Sequence, residues 1–273
     1  MKQQKLRRLV GCVIVIAGLL ALNYPFLAGV VNDRFAYREL QGYRKEMADS
    51  DETELNKTLE TARAYNAALS AGGDLNEYRD FSMLQTGALL GYVDIPQINV
   101  YAAVRYSTDP EVLTKDLGLV EDSSLPVGGE STHAVISGHT GMASRKMLTD
   151  LTQMREGDIF FLHVLNCDMA YQVDQIVVLE PWDTSQLGIV RGEDCVTLLT
   201  CTPYGVNDHR LLVRGRRIEY DFTQPVPETQ TQSVTEKSSV EKLRVVIAWA
   251  SLGILVAMVI YVVVRNKRQG ESG

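Results

Sequence analysis

Cys201 closes a β-rich run, Val196-Thr-Leu-Leu-Thr-Cys201, and the chain then turns through Pro203, Gly205, Asn207 and Asp208, all turn formers. It returns in a second apolar run that starts at Arg210. Two strands joined by so short a turn put a thiol and a guanidinium at facing ends. The pair suits acyl transfer, in which a sulfur attacks a carbonyl carbon and a fixed cation holds the oxyanion that forms. An unperturbed thiol titrates near 8.5, so only about 3% of it is thiolate at pH 7. Either the site shifts that value or a minority protonation state does the work. A lone cysteine decides nothing, because free Cys is commonly a small buried hydrophobe.

A proton carrier is offered by a second stretch, Thr132-His-Ala-Val-Ile-Ser-Gly-His139-Thr-Gly141, again a short β-run that ends in polar and glycine residues. His139 stands at its end. His133 and His163 fall inside β-like runs, where histidine is more often packed or solvated than catalytic. His209 is the rival, since its turn carries it towards Cys201. No spacing demands an Asn or Asp to orient His139, unlike a papain-like triad, whose cysteine opens a helix. Cys167, Cys195 and Cys201 lack paired ligand spacing, so neither a metal nor another cofactor is expected.

The elements that must position these groups are short. β-like runs are read at 90–95, 100–106, 134–137, 159–165, 170–179, 195–201 and 210–220, with short helices at 110–115 and 144–154. Many short strands with little helix point to a mainly β fold, a closed barrel or a sandwich. Ahead of them, Leu40, Tyr43 and Met47, then Leu55, Leu59 and Ala62, recur at helical spacing on either side of a polar break at Asp49-Ser50-Asp51. Two helices are expected there, ended by Ala71-Gly72-Gly73. Residues 74–86 have no period and read as a loop.

Both ends of the chain are apolar. Lys2, Lys5, Arg7 and Arg8 precede the run 9–22, which Pro25 interrupts before 26–31 continues it. A cleaved signal peptide and a retained anchor are both compatible with it; no small-x-small cleavage site follows, which favours the anchor. Residues 245–264 carry no charge and would span about 30 Å as a helix, with Arg265, Lys267 and Arg268 directly after. Basic outer flanks place both termini in the cytoplasm, so a two-pass protein of the cell membrane is expected, with its middle outside. An exported domain with three cysteines leaves open a Cys167–Cys195 disulfide against two core thiols. The net charge of −7 and the absence of a basic stripe argue against nucleic acid.

The motifs together resemble the sortase family: Thr197-Leu-Leu-Thr-Cys201, His139 at an upstream strand end, and Arg210 on the strand after the cysteine. The wording Gly91-Tyr-Val-Asp-Ile-Pro-Gln-Ile-Asn-Val100, Ser124-Leu-Pro-Val-Gly-Gly-Glu130 and Thr200-Cys-Thr-Pro-Tyr-Gly-Val-Asn207 is similar to class C, the pilin-polymerising sortases. The similarity covers about residues 35–220.

The resemblance implies an eight-stranded sortase-type β-barrel with N-terminal helices and two flanking transmembrane helices. It also implies Cys201 as nucleophile, His139 as general acid and base, and Arg210 as the oxyanion and substrate stabiliser. A class C lid carries an Asp-Pro-aromatic motif; its counterpart here is Asp80-Phe81, without the proline. The expected segments are an anchor at 1–32, membrane-proximal helices at 33–71, a lid loop at 72–88, the barrel at 89–222, a linker at 223–242, a second membrane helix at 243–265 and a tail at 266–273. The implied reaction cleaves a Leu-Pro-x-Thr-Gly-like sorting signal through a Cys201 thioester and passes the acyl group to a lysine of another pilin subunit. Pilin subunits and membrane lipid are the implied partners. Attachment of proteins to peptidoglycan, and a catalytically silent membrane-tethered barrel that binds surface partners, are the alternatives.

Overall fold

The computed structural model describes residues 2–142 and 147–223, with positions 246, 249–251, 253 and 257. Contacts divide the chain into two units, Met1–Asn32 with Glu236–Gly273, and Asp33–Thr235. The expected tail at 266–273 lies outside the described residues, as do the linker at 223–242 beyond its first residue and most of the helix at 243–265. Among the described residues no helix is long and apolar enough to cross a membrane. Helix α1 is continuous from Lys2 to Asp49 and passes through Pro25. A proline inside a helix removes one backbone bond and can kink the helix without ending it.

Eight strands close into the expected barrel: β1 (Leu89–Ile95), β2 (Val100–Tyr106), β3 (Leu117–Leu119), β4 (Thr132–Ser137), β5 (Ile159–Val164), β6 (Cys167–Leu179), β7 (Asp194–Thr202) and β8 (His209–Ile218). Around the wall they run β1-β2-β3-β4-β7-β8-β6-β5. The β2–β3 and β4–β7 pairs are parallel and the others antiparallel. Sequence reading passes over β3, whose three residues are too few to display a period. The short helix at 110–115 is present as α3 (Pro110–Leu113). Of the helix expected at 144–154 the described part holds only a 3-10 turn, Leu151–Gln153, and 143–146 lie outside the description.

The barrel is filled by alternate residues, since successive side chains on a strand point to opposite faces. Ala134 and Ile136, Phe160 and Leu162, Met169, Tyr171 and Val173, Val196 and Leu198, and Leu211 and Val213 all belong to one buried cluster. Phe160 and Tyr171 stack within it at 5.7 Å.

Helix α2 (Glu52–Ser70) starts at Asp51, whose carboxylate accepts the Thr53 N–H at 2.7 Å, and buries Leu55, Leu59, Ala62, Tyr65 and Asn66. That i, i+4, i+7 stripe is the one the sequence spacing requires. Leu40 and Tyr43 of α1 pack on Tyr92 and Ala103, on the outside of β1 and β2. Tyr43 donates its hydroxyl to the Leu90 carbonyl at 3.1 Å and accepts the Leu165 N–H at 2.7 Å. Arg105 ties the same surface by ion pairs to Glu39 and Asp116.

Asn66 fastens α2 to the barrel most directly. Its amide donates to the Leu125 carbonyl at 2.9 Å and accepts the Leu125 N–H at 2.7 Å, so the side chain substitutes for a pairing strand on the β3–β4 connection. Asn66→Ala leaves the Leu125 N–H unpaired in the interior and its carbonyl with the Val127 N–H alone, at 2.8 Å. The free energy of urea unfolding should fall by about 2 kcal/mol with the circular-dichroism spectrum unchanged.

Candidate active site

On β7, Val196 and Leu198 point into the barrel, so Thr197, Leu199 and Cys201 point outward. On β8, Leu211 and Val213 point inward, which turns Arg210, Leu212 and Arg214 out. Cys201 and Arg210 are direct cross-strand partners on that outer face. Residues so paired lie about 5 Å apart between Cα atoms. The facing ends expected from the sequence are therefore present.

His139 reaches the same row from the other side. β4 runs parallel to β7 with Ser137 opposite Leu199, and the Gly138 N–H extends the ladder by donating to the Leu199 carbonyl at 3.0 Å. Thr200 donates its hydroxyl to the Gly138 carbonyl at 2.7 Å. His139 follows two residues beyond Ser137, just past the end of the strand that pairs with β7. Only glycine fits at 138, because a Cβ there would lie 2.4 Å from a Leu117 methyl and 3.0 Å from Leu148. The buried Leu148 donates its N–H to the His139 carbonyl at 3.2 Å and anchors the loop.

The two loops at the strand ends touch. Gly141 has φ +76, and a Cβ on it would meet the Tyr204 ring at 3.1 Å, so Tyr204 of the β7–β8 turn packs on the backbone that follows His139. Sequence reading missed this contact because the partners lie on loops far apart in the chain. Arg210 directs Nη1 to the carbonyls of its own turn, Asn207 at 3.3 Å and His209 at 3.1 Å. Cys201, His139 and Arg210 are all partly buried, sheltered yet open to a ligand.

The remaining candidates are otherwise engaged. His133 is fully buried, with Nδ1 at 2.8 Å from the Gly188 carbonyl and Nε2 at 2.7 Å from the Thr197 hydroxyl. His163 stacks on Tyr92 at 4.4 Å and meets Asp168 at 2.5 Å. His209 pairs with Asp208 at 2.8 Å, and this hydrogen bond raises its pKa. Its alternation is opposite to that of Arg210, so it points away from the face that carries Cys201.

Cys167, Cys195 and Cys201 are all free, so the alternative of a Cys167–Cys195 disulfide falls. Cys167 packs partly against the interior cluster, whereas Cys195 alternates with the inward Val196 and lies on the opposite face of the wall. Burial pushes the Cys195 thiol up to about 11 and raises Cys167 as well, which keeps both un-ionised at neutral pH. In the segment expected to be a lid, 3-10 turns at Asn76–Tyr78 and Ser82–Leu84 interrupt the loop. Phe81 packs against the interior cluster and Asp80 is exposed.

Comparison with known proteins gives the following. A family model described as Sortase domain matches residues 93–218. The sortase C of Clostridium perfringens, solved with the C-terminal cell wall sorting motif, is 40% identical and superposes with a TM-score of 0.65; the match covers 68% of this chain and 100% of that one. The sortase C of Streptococcus pneumoniae is 42% identical with a TM-score of 0.62, covering 69% of this chain and 100% of that one. Sortase D of Bacillus subtilis is 26% identical over 137 residues, 49% of this chain and 66% of that protein.

The buried His133 supplies a pH test of the site's scaffold. Burial lowers its pKa from 6.5, so below about pH 6.5 the unfolded chain binds a proton that the folded chain refuses. Its stabilising contribution is complete above that pH and is lost as pH falls through the lower folded value. Tm should decline on acidification below about pH 6.5, and His133→Gln should flatten that decline in calorimetric scans.

Proposed function

The chain belongs to the sortase family of cysteine transpeptidases, and on that premise we propose that it polymerises pilin subunits through a thioester on Cys201. The observation that carries the reading is the pairing of Cys201 opposite Arg210, with His139 two residues past the end of the neighbouring parallel strand, whose last pair is Ser137 with Leu199. Relatives add support, since one sortase C was solved with a cell wall sorting motif and another was studied for pilin substrate specificity.

In the proposed reaction a sorting signal of the Leu-Pro-x-Thr-Gly type lies along the outer face of β4 and β7. The Cys201 sulfur attacks the threonine carbonyl carbon. Charge gathers on the carbonyl oxygen, where the Arg210 guanidinium donates hydrogen bonds. His139 gives a proton to the departing glycine nitrogen as the C–N bond breaks, leaving a thioester. A lysine amine from a second subunit then attacks the thioester carbon, His139 takes the amine's proton, and Cys201 leaves as an isopeptide bond forms.

Aminolysis has to outrun hydrolysis, which requires a docked amine and restricted water. We assign the segment around Asp80 and Phe81 to that covering role. The apolar runs at 9–31 and 245–264, with basic outer flanks, are the basis for a two-pass placement in the cell membrane with the barrel outside and both termini cytoplasmic. Two anchors in lipid would hold the enzyme beside membrane-held subunits and raise their effective concentration.

Incubation of the protein with a sorting-signal peptide should give an acyl-enzyme mass shift located on Cys201, absent from Cys201→Ala. Arg210→Lys should lower kcat/KM by about 10²- to 10³-fold, because an ammonium lacks the guanidinium's fork. His139→Ala should fall at least as far. Cleavage by Cys201→Ala at the parent's rate would overturn the reading. With two pilin subunits, covalent dimers dependent on the acceptor lysine separate polymerisation from peptidoglycan anchoring.

A further inference from the structure

Strand β6 ends at Leu179, in register with Arg210, and β7 begins at Asp194, in register with Thr132. The connection 180–193 thus starts at the row of Cys201 and returns at the far end of the same face, so it must travel the length of the wall that leads to the thiol. Ion pairs hold its two ends, Glu180 to His209 at 3.7 Å and Glu193 to Arg216 at 3.0 Å. Near its far end the Gly192 N–H donates to the Ser131 hydroxyl at 2.9 Å and the Thr132 N–H to the Glu193 carbonyl at 3.0 Å. In its middle, Gln186 meets Gln175 at 3.2 Å and the Gly188 carbonyl meets His133 at 2.8 Å.

Of the two middle contacts, only the second is fully buried on the barrel side. A carbonyl can only accept, so His133 donates from Nδ1, which fixes the tautomer and leaves the Nε2 lone pair for the Thr197 hydroxyl. Thr197 is itself fully buried and lies opposite Val135 on β4. One imidazole therefore ties together β4, β7 and the connection, on the outward alternation that carries His139 and Cys201 further along. At its His133 end the bond to the exposed Gly188 is shielded from water, and a buried ring N–H left without an acceptor is costly.

We propose that His133 is a positioning residue for the reaction: by holding Gly188 it fixes the β6–β7 connection as a wall of the groove along which the peptide substrate reaches Cys201. The proposal rests on the transpeptidase reading above for the identity of the substrate, but not for the clamp. His133 touches no reacting atom. Its loss changes how tightly peptide is held and leaves the chemistry at the thiol alone.

Three variants of the full-length protein separate this role from general stability. His133→Gln keeps a polar atom towards Thr197 but loses the donor towards Gly188; His133→Asn keeps an N–H close to the position of Nδ1; His133→Leu removes both. For cleavage of a Leu-Pro-x-Thr-Gly peptide, His133→Gln and His133→Leu should raise KM about fivefold or more at nearly constant kcat, and His133→Asn should return KM to within about twofold of the parent. Alkylation of Cys201 by iodoacetamide should proceed at the parent's rate in all three. Hydrogen exchange should accelerate in 184–190 in the Gln variant while the amides of β4 and β7 keep their protection.

Unchanged exchange in 184–190 in the Gln variant would overturn the clamp. So would equal losses of kcat, KM and alkylation rate in Asn and Gln, which would mean a purely structural histidine. If the parent fails to cleave the peptide, the functional reading fails, and the exchange measurement still decides the clamp.

Discussion

The hydrogen-bonded register of β4, β7 and β8 is the constraint on which the site depends. Parallel pairing sets Ser137 against Leu199, and antiparallel pairing sets Cys201 against Arg210. A slip of one residue in β7 would turn its whole outward set, Cys201 included, to the other face. The slip is resisted because it would also bring Val196 and Leu198 out of the barrel, at about 1.5–3 kcal/mol for each large side chain exposed. The apolar filling of the barrel thus fixes where the Cys201 sulfur points. The Thr200 hydroxyl on the Gly138 carbonyl then pins the last turn of the ladder, where regular pairing has ended.

The same wall divides its polar work by position. At the end away from Cys201, Arg214 and Arg216 converge on Asp174, and Arg216 also reaches Glu193. Burial pushes the Asp174 carboxyl up, but the hydrogen bonds and charges of the two arginines outweigh it and hold the group below its usual range. That network consumes its cations structurally. At the other end the Arg210 guanidinium spends one nitrogen on its own turn and meets no carboxylate among the described residues, so its charge is available to a developing oxyanion. Cysteines divide likewise, since burial keeps the Cys195 thiol protonated whereas Cys201 stands partly open at a strand end.

The helices contribute by closing surface rather than by chemistry. α2 covers the barrel with a stripe that includes Leu59, Ala62 and Tyr65, and its Asn66 completes the backbone pairing of Leu125. The segment after it returns to the same helix, with the Tyr78 ring edge-on to Tyr65 at 5.6 Å and Met83 buried. Phe81 joins that packing directly, and so it sits over apolar surface even without a proline before it to stiffen the chain.

Local sequence determined the strands with a clear alternation, the buried stripe of α2, the break between α1 and α2, and the three residue types able to perform acyl transfer. Those features depend on spacing within a few residues, so they can be read from a single chain. The alternation on β7 already implies that Cys201 and Val196 face opposite ways, but not which of them faces inward.

Tertiary structure alone decided what depends on partners distant in the chain. β3 exists because β2 and β4 pair with its three residues on either side, not because of any period of its own. Pro25 leaves α1 unbroken, and Cys167 and Cys195 stay apart on opposite faces of the wall. His133 and His139 lie in one short stretch and share one alternation. Only the tertiary structure tells them apart: the first is buried with its ring on the Gly188 carbonyl, and the second stands partly exposed past a strand end.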